Sequence, residues 1–255
     1  MNPHHILHFG DFHALCHGDA LEELLGLPDF KTIDAIVITG VATIPFPQHF
    51  HEAQEKLTWM LNTLKIPTDR CIVTPGVKDL HPRCLNQLGY FSEFFYNPLK
   101  ETPYVLGIAN STLWSDENAL QIIGFNSVDH INPKTDQATL CLDGLDDCIE
   151  TAVFLAHMDD ASPTRFLAWW HPLHKLDGPL QWPVFFNMDV SLILHGDSDV
   201  MPTRFPVLGA PPKAANLITQ QLKGNLFIRR YEYHRHWQLK KTASYFPKLR
   251  EGQLK

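Results

Sequence analysis

Ile6–His13, reading I-L-H-F-G-D-F-H, is the stretch from which the fold is read. A short apolar run ends at Gly10, and Asp11 and His13 follow two residues apart. In a parallel α/β sheet, ligands gather at the carboxyl ends of strands. An Asp and a His just past such an end offer one hard oxygen and one imidazole nitrogen, a common pairing for a divalent metal. A strand followed by a turn with a surface His accounts for the same letters equally well.

The remainder of the chain continues as strand and helix. Leu21, Leu24, Leu25 and Leu27 have helical spacing up to Pro28, and Ile33–Gly40 is an apolar run typical of a strand buried on both faces. A helix is expected from Gln48 to Lys65, a strand over Arg70–Thr74, and an aromatic helix over Pro82–Tyr96. Gln121–Phe125, Phe166–Trp170 and Ser191–His195 read as strands, and Gly144–Met158 as a helix. Phe205–Leu208, Leu226–Tyr233 and His236–Lys240 read as antiparallel strands. Alternation first and hairpins later suggest two packed sheets with helices outside.

Bulk properties narrow the function classes. At 255 residues, 44% hydrophobic and 19% charged, the chain has the composition of a water-soluble α/β domain. No apolar run reaches the ~20 residues of a membrane span, and no signal peptide is evident. Cys16, Cys71, Cys84, Cys141 and Cys148 are odd in number and lack C-x-x-C spacing, so reduced thiols and a cytoplasmic location are expected. The net charge of −7 is uneven: residues 226–255 carry eight Lys or Arg against two Glu, which leaves the body strongly acidic. Such a segment suits nucleic acid, a nucleotide, a protein partner, the chain's own body or plain solvation.

Four later strand ends line up with the first: I-T-G-V (Ile38–Val41), T-P-G-V-K-D (Thr74–Asp79), W-W-H-P (Trp169–Pro172) and L-H-G-D-S-D (Leu194–Asp199). In order and interval these resemble the calcineurin-like metallophosphoesterases, whose pattern is D-x-H, G-D, G-N-H-D, H-H-P and G-H-x-H. The likeness is nearest to the cyclic-nucleotide phosphodiesterase branch, which Ile122–Ser127 and the P-V-L-G-A-P stretch also resemble. The resemblance spans nearly the whole chain. It implies a four-layer α/β-β/α sandwich, two packed mixed β-sheets flanked by helices, over residues 1–240, with 241–255 as a basic tail that leads on to any further domain.

In that family two metal ions ~3.5–4 Å apart activate a hydroxide and polarise a phosphoryl group. Carried over, Asp11 and His13 match the first motif. The bridging carboxylate position is Val41, the Asn position Val77, the neighbouring His position Lys78 and the H-H-P ligand position Trp170, with His171 beside it. Asp197 and Asp199 replace the two histidines of the last motif, and Asp79 alone survives from G-N-H-D. Two cations without a bridging carboxylate would repel one another, so no dinuclear centre and no catalytic residues are expected.

Two occupants of the vestigial cleft remain. One is a single Mn, Mg or Fe ion on Asp11, His13 and Asp199. The other, preferred, is a polar plug in which Lys78 neutralises Asp11, Asp197 and Asp199. The expected function is a catalytically inactive binding, regulatory or scaffolding module of a larger assembly, with a protein partner on the aromatic helix or basic tail. A single-metal phosphodiesterase or nuclease and a nucleotide sensor are the alternatives. His49–His51 is expected at the surface, and His157, His171, His174 and His195 are expected to be structural or exposed.

Overall fold

The computed structural model describes residues 3–81, 87–102, 109–115, 118–128, 130–132, 137–139, 164–176, 190–196, 198–202, 207–221 and 225–245. The helix expected over 144–158, Asp197, Cys84, Cys141, Cys148 and the chain beyond 245 lie outside these residues.

The elements that position the site follow the expected alternation. They are β1 (His4–Gly10), α1 (Ala20–Gly26), β2 (Ala35–Thr39), α2 (Pro47–Leu64) and β3 (Cys71–Thr74). Pro47 starts α2 because its missing N–H is needed by no helical partner there. Lys65, left-handed at φ 57°, ends it. Helical residues α3 (Gly89–Phe91), a π turn at Ser92–Tyr96 and α4 (Asn97–Lys100) then run on without a break. The second half supplies β4 (Ala109–Ser115), β5 (Asn118–Gly124), β6 (His130–Asn132), β7 (Gln137–Thr139), β8 (Thr164–Trp169) and β9 (Val190–Gly196). It closes with β10 (Val207–Ala210), β11 (Ala214–Gln220), β12 (Leu226–Tyr233) and β13 (Trp237–Tyr245).

The chain is a mixed α/β protein with two principal sheets. One has the order β13-β12-β11-β1-β2-β3, and the other β10-β9-β8-β5-β4. β1, β2 and β3 are parallel, as are β5, β8, β9 and β10, while β11–β13 and β4 run antiparallel to their neighbours. The expectation of an antiparallel strand near Leu208 is corrected, because β10 pairs parallel to β9. β4 and β11 were not anticipated. The boundary expected at 240 also moves, since β13 stays paired with β12 as far as Tyr245.

The period of two along a strand divides each strand of the first sheet between two cores. Leu7, Phe9, Ile36, Ile38, Val73 and Leu217 face the helices, packing with Leu24, Phe50, Leu57 and Phe91. Ile6, Val37, Ile72, Ile218 and Ile228 face the second sheet, against Leu120, Ile122, Phe166, Leu192 and Leu194. Phe91 and Phe95 of the aromatic helix are fully buried, and Phe94 and Tyr96 pack partly buried against the same core.

Polar residues also enter the inter-sheet layer, and they are joined. Arg230 Nε donates to Asn216 Oδ1 (2.8 Å), which turns the Asn216 amide nitrogen toward Gly209 O (2.9 Å) and His8 Nδ1 (3.2 Å). His8 therefore accepts at Nδ1 and donates from Nε2 to Thr39 Oγ1 (3.0 Å), whose hydroxyl donates to Phe9 O. The Arg230 guanidinium continues to Asp199, which Lys241 also binds at 2.5 Å. Burial, then the nearby His195 and Arg230, hold the His8 imidazole well below its ordinary pKa. Burial also lowers His5 and His13.

A histidine depressed in the fold binds its proton in the unfolded chain first, so folding loses stability as pH falls below about 6.5. The depressed histidines lower the urea midpoint between about pH 7 and pH 5, while the raised Asp79 acts in the opposite sense. The expected outcome is therefore a difference: the wild type loses more over that range than His8→Gln, which cannot titrate. An equal slope in both proteins would remove His8 as a source.

Candidate functional site

The ends of β1, β2, β3, β8 and β9 meet at one place, as the aligned motifs require. Asp11 follows β1 in the left-handed conformation (φ 46°), a backbone state that Asp tolerates better than most residues. The reversal aims Phe12 N–H at Gly40 O (3.1 Å) and His13 N–H at Val41 O (2.8 Å), tying the first motif to the loop after β2. Asp79 ties that loop to the one after β3. Its carboxylate accepts from Val41 N (3.0 Å), Ala42 N (2.6 Å) and Gly76 N (2.7 Å). Burial pushes its pKa up to about 7, opposed by these three N–H donors and assisted by nearby Asp11. Asp79 is a clamp between strand-end loops.

The centre of the cluster is filled by carbon. The Trp170 indole, 3% exposed, lies directly on the backbones of Gly40, Gly76 and Gly196, which belong to three different strand ends. A methyl group at Gly40 or Gly196 would overlap the ring, and one at Gly76 would sit 2.8 Å from it. Gly40 also has φ 89°, so glycine is required there twice over. The backbone around the indole is fixed from both sides. Trp170 N donates to Ser127 Oγ (3.2 Å), and Gly196 N donates to Trp170 O (3.1 Å). Ser127 Oγ also contacts His171 Nδ1 at 3.0 Å, which places that buried imidazole in structural company.

Charge occupies the rim. Lys78 Nζ meets Asp11 Oδ2 at 2.5 Å, with the carboxylate 1% exposed and the ammonium 41% exposed. The Lys78–Asp11 half of the expected plug is therefore present. Asp199 instead pairs with Arg230 and Lys241, and Asp197 lies outside the described residues. Hydrogen bonding from Lys241, then proximity to Arg230, keeps the Asp199 carboxyl below its ordinary pKa. Asp11, His13 and Asp199 do not form a ligand set. Val41 is buried and Val77 is 39% exposed, and neither offers a donor atom. The residues present do not fit the two-metal centre that the motif order implies.

His13 turns away from Asp11. Its Nδ1 contacts Thr43 Oγ1 (3.1 Å) and its Nε2 contacts Glu52 Oε2 (3.1 Å), while its ring meets His17 edge-on at 4.8 Å and stacks on His49 at 4.3 Å. His49, expected to stand alone on the surface, is therefore part of a histidine cluster. Helix α2 brings it there by laying Phe50 and Ala53 in the core while Glu52 and His49 look toward Phe12–Leu15, a short 3-10 turn. The sequence signal for this cluster was available as His13 and His17 four apart, and Glu52 needed the packing of α2.

Other expectations resolve simply. Burial pushes the Cys16 thiol to about 12 and the Cys71 thiol to about 11, so neither is an activated thiolate. Arg229 pairs with Asp29, and Arg230 and Lys241 pair with Asp199, so several cations of the basic segment serve the chain's own acidic body. Among the described residues, no helix is long and apolar enough to cross a membrane. No model of a known protein family matches the chain, and no curated protein matches it.

Two consequences are measurable by urea denaturation. Trp170→Ala is expected to cost ~3–5 kcal/mol. Gly196→Ala should cost about 1–3 kcal/mol in the wild type and less beside Trp170→Ala, which removes the ring overlap but leaves the Thr39 carbonyl oxygen 2.9 Å from the added methyl. Lys78→Met leaves Asp11 without its cation. Water reaches this rim, so the expected loss at neutral pH is about 1–3 kcal/mol rather than the larger cost of a fully buried pair.

Proposed function

We propose that this chain is a metallophosphoesterase-type four-layer α/β-β/α sandwich that has exchanged its dinuclear centre for an indole and a salt bridge. It acts as a binding, regulatory or scaffolding module of a larger assembly and hydrolyses no phosphoester. The observation that carries this reading is Trp170 seated on Gly40, Gly76 and Gly196 at the junction of the strand ends. Two metals bridged by a carboxylate need that volume and a donor where Val41 stands. The described helices cover one outer face of the sheet pair.

A protein partner is the occupant best suited to the surface. Ile44 and Phe46, 48% and 55% exposed, flank Pro45 in the loop ahead of α2, whereas Phe91 and Phe95 of the aromatic helix are buried. Large apolar side chains exposed together are the usual stuff of association surfaces. Nucleic acid and nucleotide are less well served, since Arg229, Arg230 and Lys241 already pair within the chain.

Two measurements test the proposal. With Mn2+ present, a generic aryl phosphodiester should be hydrolysed no faster than in buffer, and turnover that vanishes in Asp11→Ala would overturn the reading. The chain tagged in its native cell should co-purify a protein in stoichiometric amount. Phe46→Asp, at an exposed position, should keep the fold and lose that protein.

A further inference from the structure

We propose that His13, His17 and Glu52 form a mononuclear site for Zn2+ or a similar borderline cation, with a fourth position left to water. Two of its three residues lie outside the positions named by the motif order, and it shares only His13 with them. Asp11 is held by Lys78, and neither His17 nor Glu52 belongs to any of those motifs.

The geometry points there in several independent ways. One ligand atom from each of the three residues lies within 4.8 Å of the other two, and no other such group occurs among the described residues. The His13 Nε2 to Glu52 Oε2 separation is 3.1 Å. Zinc–ligand bonds of about 2.0–2.2 Å in a tetrahedron place neighbouring donors about 3.2–3.5 Å apart, so this edge is almost at its bound length. His17 is exposed on the turn after Phe12–Leu15, and rotation of its side chain closes the remaining distance.

The second layer of contacts is built as well. A metal-bound histidine ordinarily donates its other ring N–H to a fixed acceptor, which selects the tautomer and aims the ring. Thr43 Oγ1 stands 3.1 Å from His13 Nδ1 and is placed to accept a ring N–H there once a metal replaces the Nε2 proton that Glu52 Oε2 accepts in its absence. Gln48 Nε2 donates to Glu52 Oε1 at 2.9 Å, holding one carboxylate oxygen and leaving Oε2 facing His13. His49 stacked on His13 fixes the ring plane.

Two imidazoles and one carboxylate are a recognised three-ligand zinc set that leaves one tetrahedral position open. Calcium and magnesium prefer all-oxygen shells, so this donor set discriminates against them. The inference does not rest on the proposed function, because metal binding and phosphoester hydrolysis are read by separate assays.

The test is Zn2+ titration of the untagged, chelator-treated chain by calorimetry, with metal content measured after desalting. The expected result is one zinc per chain. Binding should weaken by roughly tenfold or more in His17→Ala and in Glu52→Gln, and stay unchanged in His51→Ala and Asp199→Asn. His17 is exposed and Glu52 lies at the surface of α2, so both variants should fold, which their circular dichroism will verify. Co2+ in place of Zn2+ should give the visible absorption of a tetrahedral site, lost in His17→Ala. No stoichiometric zinc, or binding that His17→Ala and Glu52→Gln leave intact, would overturn the proposal.

Discussion

The arrangement of strand ends depends on one contact, the face of the Trp170 indole against three glycine backbones. Gly40, Gly76 and Gly196 come from loops on two different sheets, and a flat ring can touch all three only if none carries a side chain. The contact is dispersive and excludes water, so it needs no ion to hold the loops together. In a centre built on metals, cations would supply that cohesion. Here apolar packing supplies it, with Asp79 gathering three backbone N–H groups nearby and Lys78 capping Asp11 at the edge.

Much of this was legible in the letters. The strands around Leu7, Val37, Phe166 and Leu192 announce themselves because burial on both faces demands uninterrupted apolar runs. Val41 and Trp170 at ligand positions were visible for the same reason, since neither side chain can serve a hydrated cation. What the letters did not carry was direction. Asp199 sits in a motif-like context, yet it belongs to Arg230 and Lys241, because β12 and β13 bring those cations past it. His49 looked solitary because a spacing of two on a helix separates it from His51, while its true neighbour, His13, lies on another element. β4 and β11 were missed because their sequences, A-N-S-T-L-W-S and A-A-N-L-I-T-Q, mix small and polar residues that only pairing renders extended.

The polar layer between the sheets shows how a buried cation is accommodated. Arg230 is fully buried, and its guanidinium donates to Asn216, Asp199, Val200 O and Gly209 O. A guanidinium presents a planar fork of five N–H donors, and four of them here tie two strands and a loop to one side chain. The network then fixes the Asn216 amide, and through it the His8 tautomer. Specificity of sheet pairing is gained at the cost of desolvating a charge, a trade that apolar packing alone does not make.

β1 lies between β11 and β2, and its register sets His4 opposite Gln220 and Phe9 opposite Ala215. β1 therefore waits for residues more than two hundred positions later in the chain before its second edge is covered. Until then it is a strand apolar on one edge-adjacent face and rich in backbone donors, the kind that pairs with other chains. Such long-range closure makes for slow folding. While the residues between β1 and β11 are being made, β1 stays half paired, and a chaperone or a partner that shields this strand would have its greatest effect during that interval.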